Sequence, residues 1–268
     1  MPADFTHLVL TRFNTAIDYA PSELRLNTEW LRGRLSLFER YCLPSMAGQA
    51  SAQFRWVVFF DAASPRWLKD QIESYGSLMT PIYIDGVATD AVIARRIAEA
   101  GLASSEYLVT TRLDNDDALA RTHLAYVQRE FRRQEREFVA FPLGMQYFRG
   151  HLYTVCWRAN PFLSLIERVQ NHNRFTTVFC VPHYRVRESG DLRLLIRGPQ
   201  WLQVLHSSNI RNGLRGLPRM KSTSHEDFNV AWPEVNPDDS FVRRLGWSAS
   251  ACGRLAATFM HKTMARLG

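Results

Sequence analysis

Three carboxylates crowd into four consecutive residues, Asp114 to Asp117, interrupted only by Asn115. Carboxylates this close repel one another unless a cation lies between them. Asp oxygens are also preferred ligands of hard divalent ions such as Mg²⁺ and Mn²⁺. Helix capping needs one acid rather than three. Ala118 and Leu119 stand where a calcium-binding EF-hand loop requires an oxygen ligand and a glycine. The acidic run therefore predicts a divalent metal site at Asp114, Asp116 and Asp117.

The elements that must position this run alternate between apolar strands and helices. The acidic run follows a predicted strand, and three more strands precede it. The predicted strands cover residues 5–13, 54–60, 81–84 and 106–113, and the predicted helices cover residues 30–46, 67–75, 91–100 and 119–137. The strands are continuous apolar runs, which favours a mostly parallel sheet sandwiched between helices in an α/β fold.

Polar residues follow the predicted strands at the point where each ends. Thr11 and Arg12 close the first strand, Asp61 closes the second, and the acidic run closes the fourth. Ligands of open parallel sheets bind at the carboxyl ends of the strands. This edge is therefore the predicted nucleotide site.

Beyond residue 138 the pattern indicates a mixed or antiparallel addition. Strands are predicted over residues 138–141, 146–155 and 176–181, with a helix from Asn160 or Pro161 to Val169. Residues 192–205 lead into a Gly/Arg-rich loop, and residues 239–268 carry an amphipathic helix.

Composition narrows the function classes. The chain has 268 residues, a net charge of +7 and a pI near 9.5, which favours anionic partners. Its arginines are dispersed and form no basic tail, so nucleic acid is not an expected partner. We expect reduced thiols, since the four cysteines form no Cys-x-x-Cys pair. The sequence shows neither a signal peptide nor an unbroken apolar run of membrane-spanning length, so we expect a cytoplasmic protein.

Several enzyme signatures are missing from the sequence. It has no phosphate-binding P-loop, no Gly-x-Ser-x-Gly elbow and no His-Glu-x-x-His helix. Thr11-Arg12-Phe13-Asn14 stands where a dinucleotide-binding protein or a sugar-nucleotide pyrophosphorylase would place glycines.

Three stretches together resemble a known family. Residues 34–45 (RLSLFERYCLPS), 112–119 (RLDNDDAL) and 201–209 (WLQVLHSSN) are similar to the bacterial rhamnosyltransferase family, over roughly residues 5–215. The resemblance implies a GT-A-like glycosyltransferase fold. It divides the catalytic domain, residues 1–215, into a nucleotide-sugar half (1–137) and an acceptor half (138–215). Residues 216–268 would then be a helical extension.

The resemblance also implies roles for individual residues. His206 would supply a further metal ligand, because a late histidine does so in related enzymes. Arg12 would lie near the nucleotide base or phosphates, Asp61 near the base or ribose, and Arg95 near the diphosphate. Arg112 would pair with an aspartate. The predicted nucleotide-sugar contacts are Thr11, Arg12, Asp61, Arg95, Arg112, Asp114 and Asn115.

The catalytic base is not singled out by the sequence. Inverting sugar transfer requires a carboxylate to take the proton of the acceptor hydroxyl. Glu167, Asp191 and Asp227 are the candidates, and retaining chemistry stays open.

The predicted function is transfer of a sugar from a nucleotide-diphosphate sugar, with Mn²⁺ or Mg²⁺, to a glycan or lipid-linked hydroxyl. The C-terminal segment would pack on the core or touch a membrane surface. Two alternatives stay open. One is a nucleotidyltransferase or phosphosugar hydrolase that uses the same acids. The other is a non-enzymatic basic protein that binds polyanions.

Overall fold

The computed structural model of the chain describes residues 4–17, 24–50, 53–170, 174–206, 213–218, 227–232, 240 and 244–249. Its strands are β1 (Phe5–Arg12), β2 (Arg55–Asp61), β3 (Thr80–Ile84), β4 (Tyr107–Arg112), β5 (Ala118–Leu119), β6 (Arg136–Ala140), β7 (Leu143–Phe148), β8 (His151–Cys156), β9 (Ser164–Arg168), β10 (Asp191–Leu194), β11 (Trp201–Leu205) and β12 (Leu217–Pro218). Its α-helices are α1 (Thr28–Leu37), α2 (Leu43–Ala47), α3 (Arg66–Ser74), α4 (Asp90–Glu99) and α5 (His123–Arg129).

The larger sheet has seven strands in the order β10-β6-β9-β4-β1-β2-β3. Every neighbouring pair is parallel except where β9 runs antiparallel to both β4 and β6. The predicted mostly parallel sheet is therefore confirmed. The carboxyl ends of β1, β2 and β4 lie on one edge, as the register of Leu10 with Arg112 and of Arg12 with Phe59 shows.

Alternate residues of the central strands fill two separate cores. On one face, Val9, Val58 and Val109 pack in a cluster with Leu31 of α1 and Leu124 of α5. On the other face, the strands pack against α4, which begins with Thr89 accepting a hydrogen bond from the backbone N–H of Val92 at 3.3 Å. Burial on both faces explains why the strands read as unbroken apolar runs.

A second, five-stranded sheet has the order β12-β8-β7-β11-β5. Strands β7 and β8 form a hairpin whose turn holds Arg149 and Gly150 at positive φ, 50° and 83°. This geometry is that of a two-residue primed turn. The prediction of one strand over residues 146–155 was wrong, because Gly150 permits the chain to reverse there. Strand β5 follows the acidic run directly and pairs with β11.

Two predicted helices were also wrong. The helix predicted over residues 119–137 is short, since Leu119 pairs with Trp201 in the second sheet and β6 starts at Arg136. The helix predicted from residue 160 to Val169 is strand β9 instead. The side chain of Asn160 there bonds to the backbone of Phe141 and Phe162, and β9 is then captured between β4 and β6.

Further differences concern shorter segments. The helix predicted over residues 30–46 extends from Thr28 to Ala47, with a π-helical stretch over Phe38–Cys42, and Pro44 lies in the first turn of α2 rather than at the end of the helix. Residues 176–181 form turns rather than the predicted strand, and Thr177 bonds there to Asp90 at the start of α4. Residues 192–205, which precede the predicted loop, contain most of β10 and all of β11.

Residues beyond the predicted domain boundary contact the second sheet. Phe228 is buried with Tyr41 and Leu202. Residues 244–249 are helical, and Trp247 packs edge-on against Phe148 with ring centroids 5.9 Å apart. The rest of the predicted C-terminal helix lies outside the described residues. Among the described helices, none combines the length and the hydropathy that a membrane crossing requires.

Candidate active site

The acidic run forms the junction between the two sheets. Asn115 is buried and its side-chain amide donates to the carbonyl of Phe13, just after β1, at 2.7 Å. The carboxylate of Asp117 accepts from the backbone N–H of Val204 in β11 at 2.8 Å. These two bonds fix the loop at the carboxyl edge of the larger sheet. As the chain turns here from β4 into β5, the side chains of Asp114 and Asp116 are left to face other partners.

Asp116 is held by the guanidinium of Arg34 and the imidazole of His206. Its Oδ2 accepts from Nη1 of Arg34 at 3.0 Å and from Nε2 of His206 at 2.8 Å. Arg34 also donates to the side-chain oxygen of Asn115. Burial raises the pKa of Asp116, but Arg34 and His206 lower it by more, so the pKa lies below its usual range. Asp116 therefore stays ionised although only 7% of its side chain is exposed.

Asp114 has a different environment. Both of its carboxylate oxygens accept from the guanidinium of Arg112, at 3.0 and 2.8 Å. About a third of its side chain remains exposed, at 35%. The pairing of Arg112 with an aspartate is thus as the sequence predicts. Asp114 is the accessible carboxylate of the run, since Asp116 and Asp117 are both buried.

Asp117 faces the second sheet, where it contacts β11. Burial, together with the neighbouring Asp116 and Asp114, raises its pKa well above the usual range. A buried carboxyl that tends to hold its proton and accepts a strand N–H is part of the scaffold. The structure therefore does not bring Asp117 to the predicted metal position.

The protein itself supplies cations to the run. Arg34 and Arg112 each pair with one aspartate, so mutual repulsion alone does not require a metal ion. The donors that converge are Asp116 and His206, a carboxylate and an imidazole, and this pair fits Mn²⁺ better than Mg²⁺, which takes oxygen ligands. Within the described ranges, no group of three or more His, Cys, Asp or Glu side chains forms a metal-binding set. The residues thus fit a site with two protein ligands that substrate oxygens and water complete.

Arg12 and Arg112 flank the acidic run on an aromatic platform. The guanidinium carbon of Arg12 lies 4.3 Å from the ring centroid of Phe179, and that of Arg112 lies 5.7 Å from it. Cations are attracted to an aromatic face at these distances. The two arginines sit at the carboxyl ends of β1 and β4, so the edge that holds the carboxylates also carries guanidinium groups.

The carboxyl end of β2 carries a second polar cluster. Asp61 is buried, accepts from Arg25 at 2.6 Å, and accepts from the backbone N–H of Ala63 at 2.8 Å. Asn14 accepts from the backbone N–H of Asp61 and donates to Ser64 at 3.0 Å. The structure thus brings Asp61 to the predicted edge, where it forms an ion pair with Arg25.

Two predicted nucleotide contacts lie elsewhere. Thr11 is fully buried, and its hydroxyl accepts from the indole N–H of Trp56 at 3.0 Å, so it belongs to the core. Arg95 is 67% exposed on α4, where its ion partner is Glu99 at 3.8 Å. Neither side chain reaches the acidic run.

Two of the three candidate bases are at the wrong end of the larger sheet. Glu167 pairs in register with Leu108, four residues or about 13 Å before the end of β4, and is bound to Arg136 at 3.1 Å. Burial, partly offset by Arg136, raises the pKa of Glu167 to about 7. Asp191 is exposed at the start of β10, beside Glu137.

The third candidate base, Asp227, is exposed near the end of β5. Its backbone carbonyl accepts from the N–H of Arg121 at 2.9 Å, two residues after β5 ends. No contact in the described part of the chain brings its carboxylate to Asp114 or Asp116. Asp227 nevertheless contacts the segment that follows the acidic run and β5, whereas Glu167 and Asp191 lie at the opposite end of the larger sheet.

Several site residues were not predicted. Arg34 lies within the stretch 34–45 that resembles the family, but the sequence predicted no role for it, because helical periodicity does not show what a solvent-side arginine contacts. Its spacing of three residues from the buried Leu31 was the available signal. Trp157, His183 and Arg215 form a further group beside the acidic run and had no sequence signal, and Trp157 contacts both other side chains. His183 interacts electrostatically with Arg112, Asp114 and Arg215.

A model of the family described as "Putative rhamnosyl transferase" matches residues 5–215. The chain belongs to this family. The match confirms the resemblance carried by the three stretches, all of which lie within the matched residues. A search of curated proteins found no match.

Solved structures give distant matches to this family member. Staphylococcus aureus TarS (residues 1–349) with UDP-GlcNAc is 10% identical, over 76% of this chain and 59% of that one, with a TM-score of 0.45. The same fragment without UDP-GlcNAc is 9% identical, over 74% of this chain and 60% of that one, with a TM-score of 0.42. A 4-diphosphocytidyl-2C-methyl-D-erythritol synthase is 14% identical, over 90% of this chain and 98% of that one, with a TM-score of 0.40. The chain thus spans about three-fifths of the TarS fragment.

Proposed function

We propose that this protein is a glycosyltransferase that moves a sugar from a nucleotide-diphosphate sugar to a hydroxyl of a glycan or lipid-linked acceptor. The observation that carries the proposal is the ionised, buried Asp116 at the carboxyl edge of the sheet, paired with Arg34 and His206. Membership of a family named for rhamnosyl transfer supports the reaction class and makes rhamnose the first sugar to test.

The donor would lie along the carboxyl edge, from β2 to β4. Asp61, held by Arg25, is suited to hydrogen-bond a base or ribose. Arg12 and Arg112 have planar guanidinium groups that bind phosphate oxygens in pairs. Asp114 is accessible enough to reach the sugar or the diphosphate.

We propose that Asp116 and His206 are the protein ligands of Mn²⁺ or Mg²⁺ when the donor binds. Such an ion neutralises charge on the diphosphate leaving group. Arg34 and Arg112 keep both carboxylates in place and balance their charge beforehand. Glu167 and Asp191 are not carried forward as bases, because they lie at the opposite end of the sheet. Asp227 is the remaining candidate among the three.

Thermal unfolding in the presence of nucleotides tests the proposal. We expect one nucleoside diphosphate among those of uridine, thymidine, guanosine, cytidine and adenosine to raise the melting temperature, and Mn²⁺ to enlarge that rise. Ligand at about one hundred times its dissociation constant adds roughly 2.7 kcal/mol of stability. The control variant is Asp70→Asn, since Asp70 is exposed and paired only with Arg66 on α3.

The Asp116→Asn variant should lose the nucleotide-induced rise, measured relative to its own unliganded melting temperature. A rise that survives EDTA and Asp116→Asn alike would contradict the metal assignment. With a nucleotide sugar and acceptor, release of nucleoside diphosphate supports transfer. Release of pyrophosphate from a nucleoside triphosphate and a sugar phosphate would favour a nucleotidyltransferase instead.

A further inference from the structure

The backbone around Arg215 is held in place by the side chain of Gln146. Its backbone N–H donates to Oε1 of Gln146 at 2.7 Å, and the N–H of Gly216 donates to the same oxygen at 3.3 Å. The amide nitrogen of Gln146 donates back to the carbonyl of Gly213 at 3.0 Å. Gln146 lies in β7 and is fully buried. A single buried side chain thus fixes the backbone on both sides of Arg215.

Two further contacts hold the same segment against β8. The hydroxyl of Ser248 donates to the carbonyl of Gly216 at 2.8 Å. A Cβ added at Gly216 would lie 2.7 Å from Cβ of Tyr153 and 2.9 Å from the carbonyl oxygen of Thr154. Only glycine permits this approach, so the height of Arg215 above the second sheet is set closely.

The guanidinium of Arg215 rests on Trp157. Its central carbon lies 4.3 Å from the centroid of the Trp157 ring. In the part of the chain that the structure describes, no Asp or Glu forms an ion pair with Arg215, whereas Arg34 and Arg112 are both paired. Burial lowers the pKa of Arg215, because desolvation disfavours the charged form.

This cation adjoins the acidic run on the side of the second sheet. Trp157 meets His183 edge-on, with ring centroids 5.4 Å apart. Burial lowers the pKa of His183 to about 4, and Arg112 and Arg215 lower it further against the opposing effect of Asp114. His183 therefore stays neutral in a positive potential between Arg215 and the end of β4.

We propose that Arg215, on its Trp157 platform, binds an anionic group of the acceptor, a phosphate or carboxylate carried near the accepting hydroxyl. The inference rests on the proposed function and specifies its acceptor class. The acceptor is favoured over the donor because the donor groups follow the edge from Asp61 to Asp114. Arg215 lies beyond them, on the second sheet. A preset arginine loses little freedom when it binds an oxyanion in a paired geometry.

Binding of three simple sugars tests this inference. The probes are glucose 6-phosphate, glucuronate and glucose, titrated calorimetrically into the full chain with and without the stabilising nucleoside diphosphate and Mn²⁺. We expect at least one anionic sugar to bind about tenfold or more tightly than glucose, since a charge-assisted hydrogen bond contributes that much. The phosphate and carboxylate arms show which anion the site takes.

Arg215→Gln should abolish the preference for the anionic sugar while leaving the nucleotide-induced thermal shift unchanged. Arg215→Lys should keep part of the preference, because it keeps the charge but not the planar fork. Arg187→Gln is the matched control, since Arg187 is an exposed arginine in the same 3₁₀ helix as His183.

Three results would overturn the inference. They are equal binding of glucose and both anionic sugars, equal losses from Arg187→Gln and Arg215→Gln, and a weaker nucleotide-induced shift in Arg215→Gln, which would place the arginine in the donor site. Failure of every nucleotide to bind would instead count against the proposed function, and the sugar comparison without nucleotide would still be readable.

Discussion

At the scale of single residues, Arg34 determines the state of the acidic run. It contacts both Asp116 and Asn115, and its side chain is only 14% exposed. A buried carboxylate that loses its cationic partner retains the cost of desolvation without the compensating attraction. Arg34 therefore stabilises the fold and keeps Asp116 charged at the same time.

We expect Arg34→Met to lower the free energy of unfolding by about 3 kcal/mol, because it removes the guanidinium that pairs with the buried carboxylate of Asp116. Arg34→Lys should cost less, since it keeps the charge. Urea denaturation measures both. Arg32→Met is the control on the same helix, because Arg32 is exposed and stacks on Trp67 at 4.9 Å. Equal losses for Arg34→Met and Arg32→Met would show that the Asp116 pair contributes little.

At the scale of elements, the strands of the second sheet depend on one close approach. Gly144 in β7 faces Trp201 in β11, and an added Cβ would lie 2.1 Å from two atoms of the indole ring. Trp201 is itself fixed, because it stacks on Phe162 with centroids 4.9 Å apart and donates to the carbonyl of Phe141 at 2.8 Å. Since β11 leads to His206, this packing also positions the site.

Gly144→Ala should therefore destabilise the protein by about 3 kcal/mol, at the upper end of the cost of overpacking. The melting temperature by circular dichroism is the measurement. Gly198→Ala is the matched control, because its Cβ would meet no atom within 4 Å, and its effect should stay within about 0.5 kcal/mol. If Gly144→Ala melts at the wild-type temperature, Trp201 is free to move and the described packing is not rigid.

The elements that were mispredicted share a physical cause. Strand β9 reads as a helix because both of its faces are buried, with Leu165 in one core and Ile166 in the other, so no alternation is visible. Its structure depends on hydrogen bonds to β4 and β6, which are distant in sequence. Glu167 was predicted as a base on a helix, and β9 carries it to the opposite end of the sheet.

At the scale of the whole molecule, two buried histidines make stability depend on pH. His7 lies between Thr111 at 2.8 Å and Gln128 at 3.1 Å, and burial followed by His123 lowers its pKa to about 3. His123 bonds to the carbonyl of Gln200 at 2.9 Å, and burial lowers its pKa to about 4. Gln128 also donates to the backbone carbonyl of Gln53, so its amide is not free to turn its oxygen toward His7 and accept a hydrogen bond from a protonated ring.

Stability falls as the pH is lowered, because both histidine pKa values are lower in the folded chain than in the unfolded chain. The unfolded chain takes up protons near pH 6.5 and the folded chain does not, so stability is present above that pH and lost as the pH falls toward 4. Each histidine should cost about 2 kcal/mol between pH 7 and pH 5. The raised pKa of Glu167 acts in the opposite sense over the same range.

The contribution of one histidine is isolated by comparing variants. Between pH 7 and pH 5, the free energy of unfolding of His123→Asn should fall by about 2 kcal/mol less than that of the wild-type protein, because Glu167 and His7 are common to both. Denaturant titrations at several pH values provide the measurement. Parallel stability curves for the two proteins would show that His123 does not titrate as described.

Apolar runs and their spacing were sufficient to predict β1 to β4, the parallel sheet and the acidic run at its carboxyl edge, since these depend on residues near one another in the chain. Family resemblance added His206. The partners of the aspartates depend on folding, because Asp116 meets Arg34 across 82 residues and His206 across 90. Local periodicity cannot predict contacts between residues so far apart in the sequence. For the same reason, only the packed sheets show that the Thr11 hydroxyl lies in the core, that Asp117 bonds to β11 and that Arg215 lies beside the acidic run.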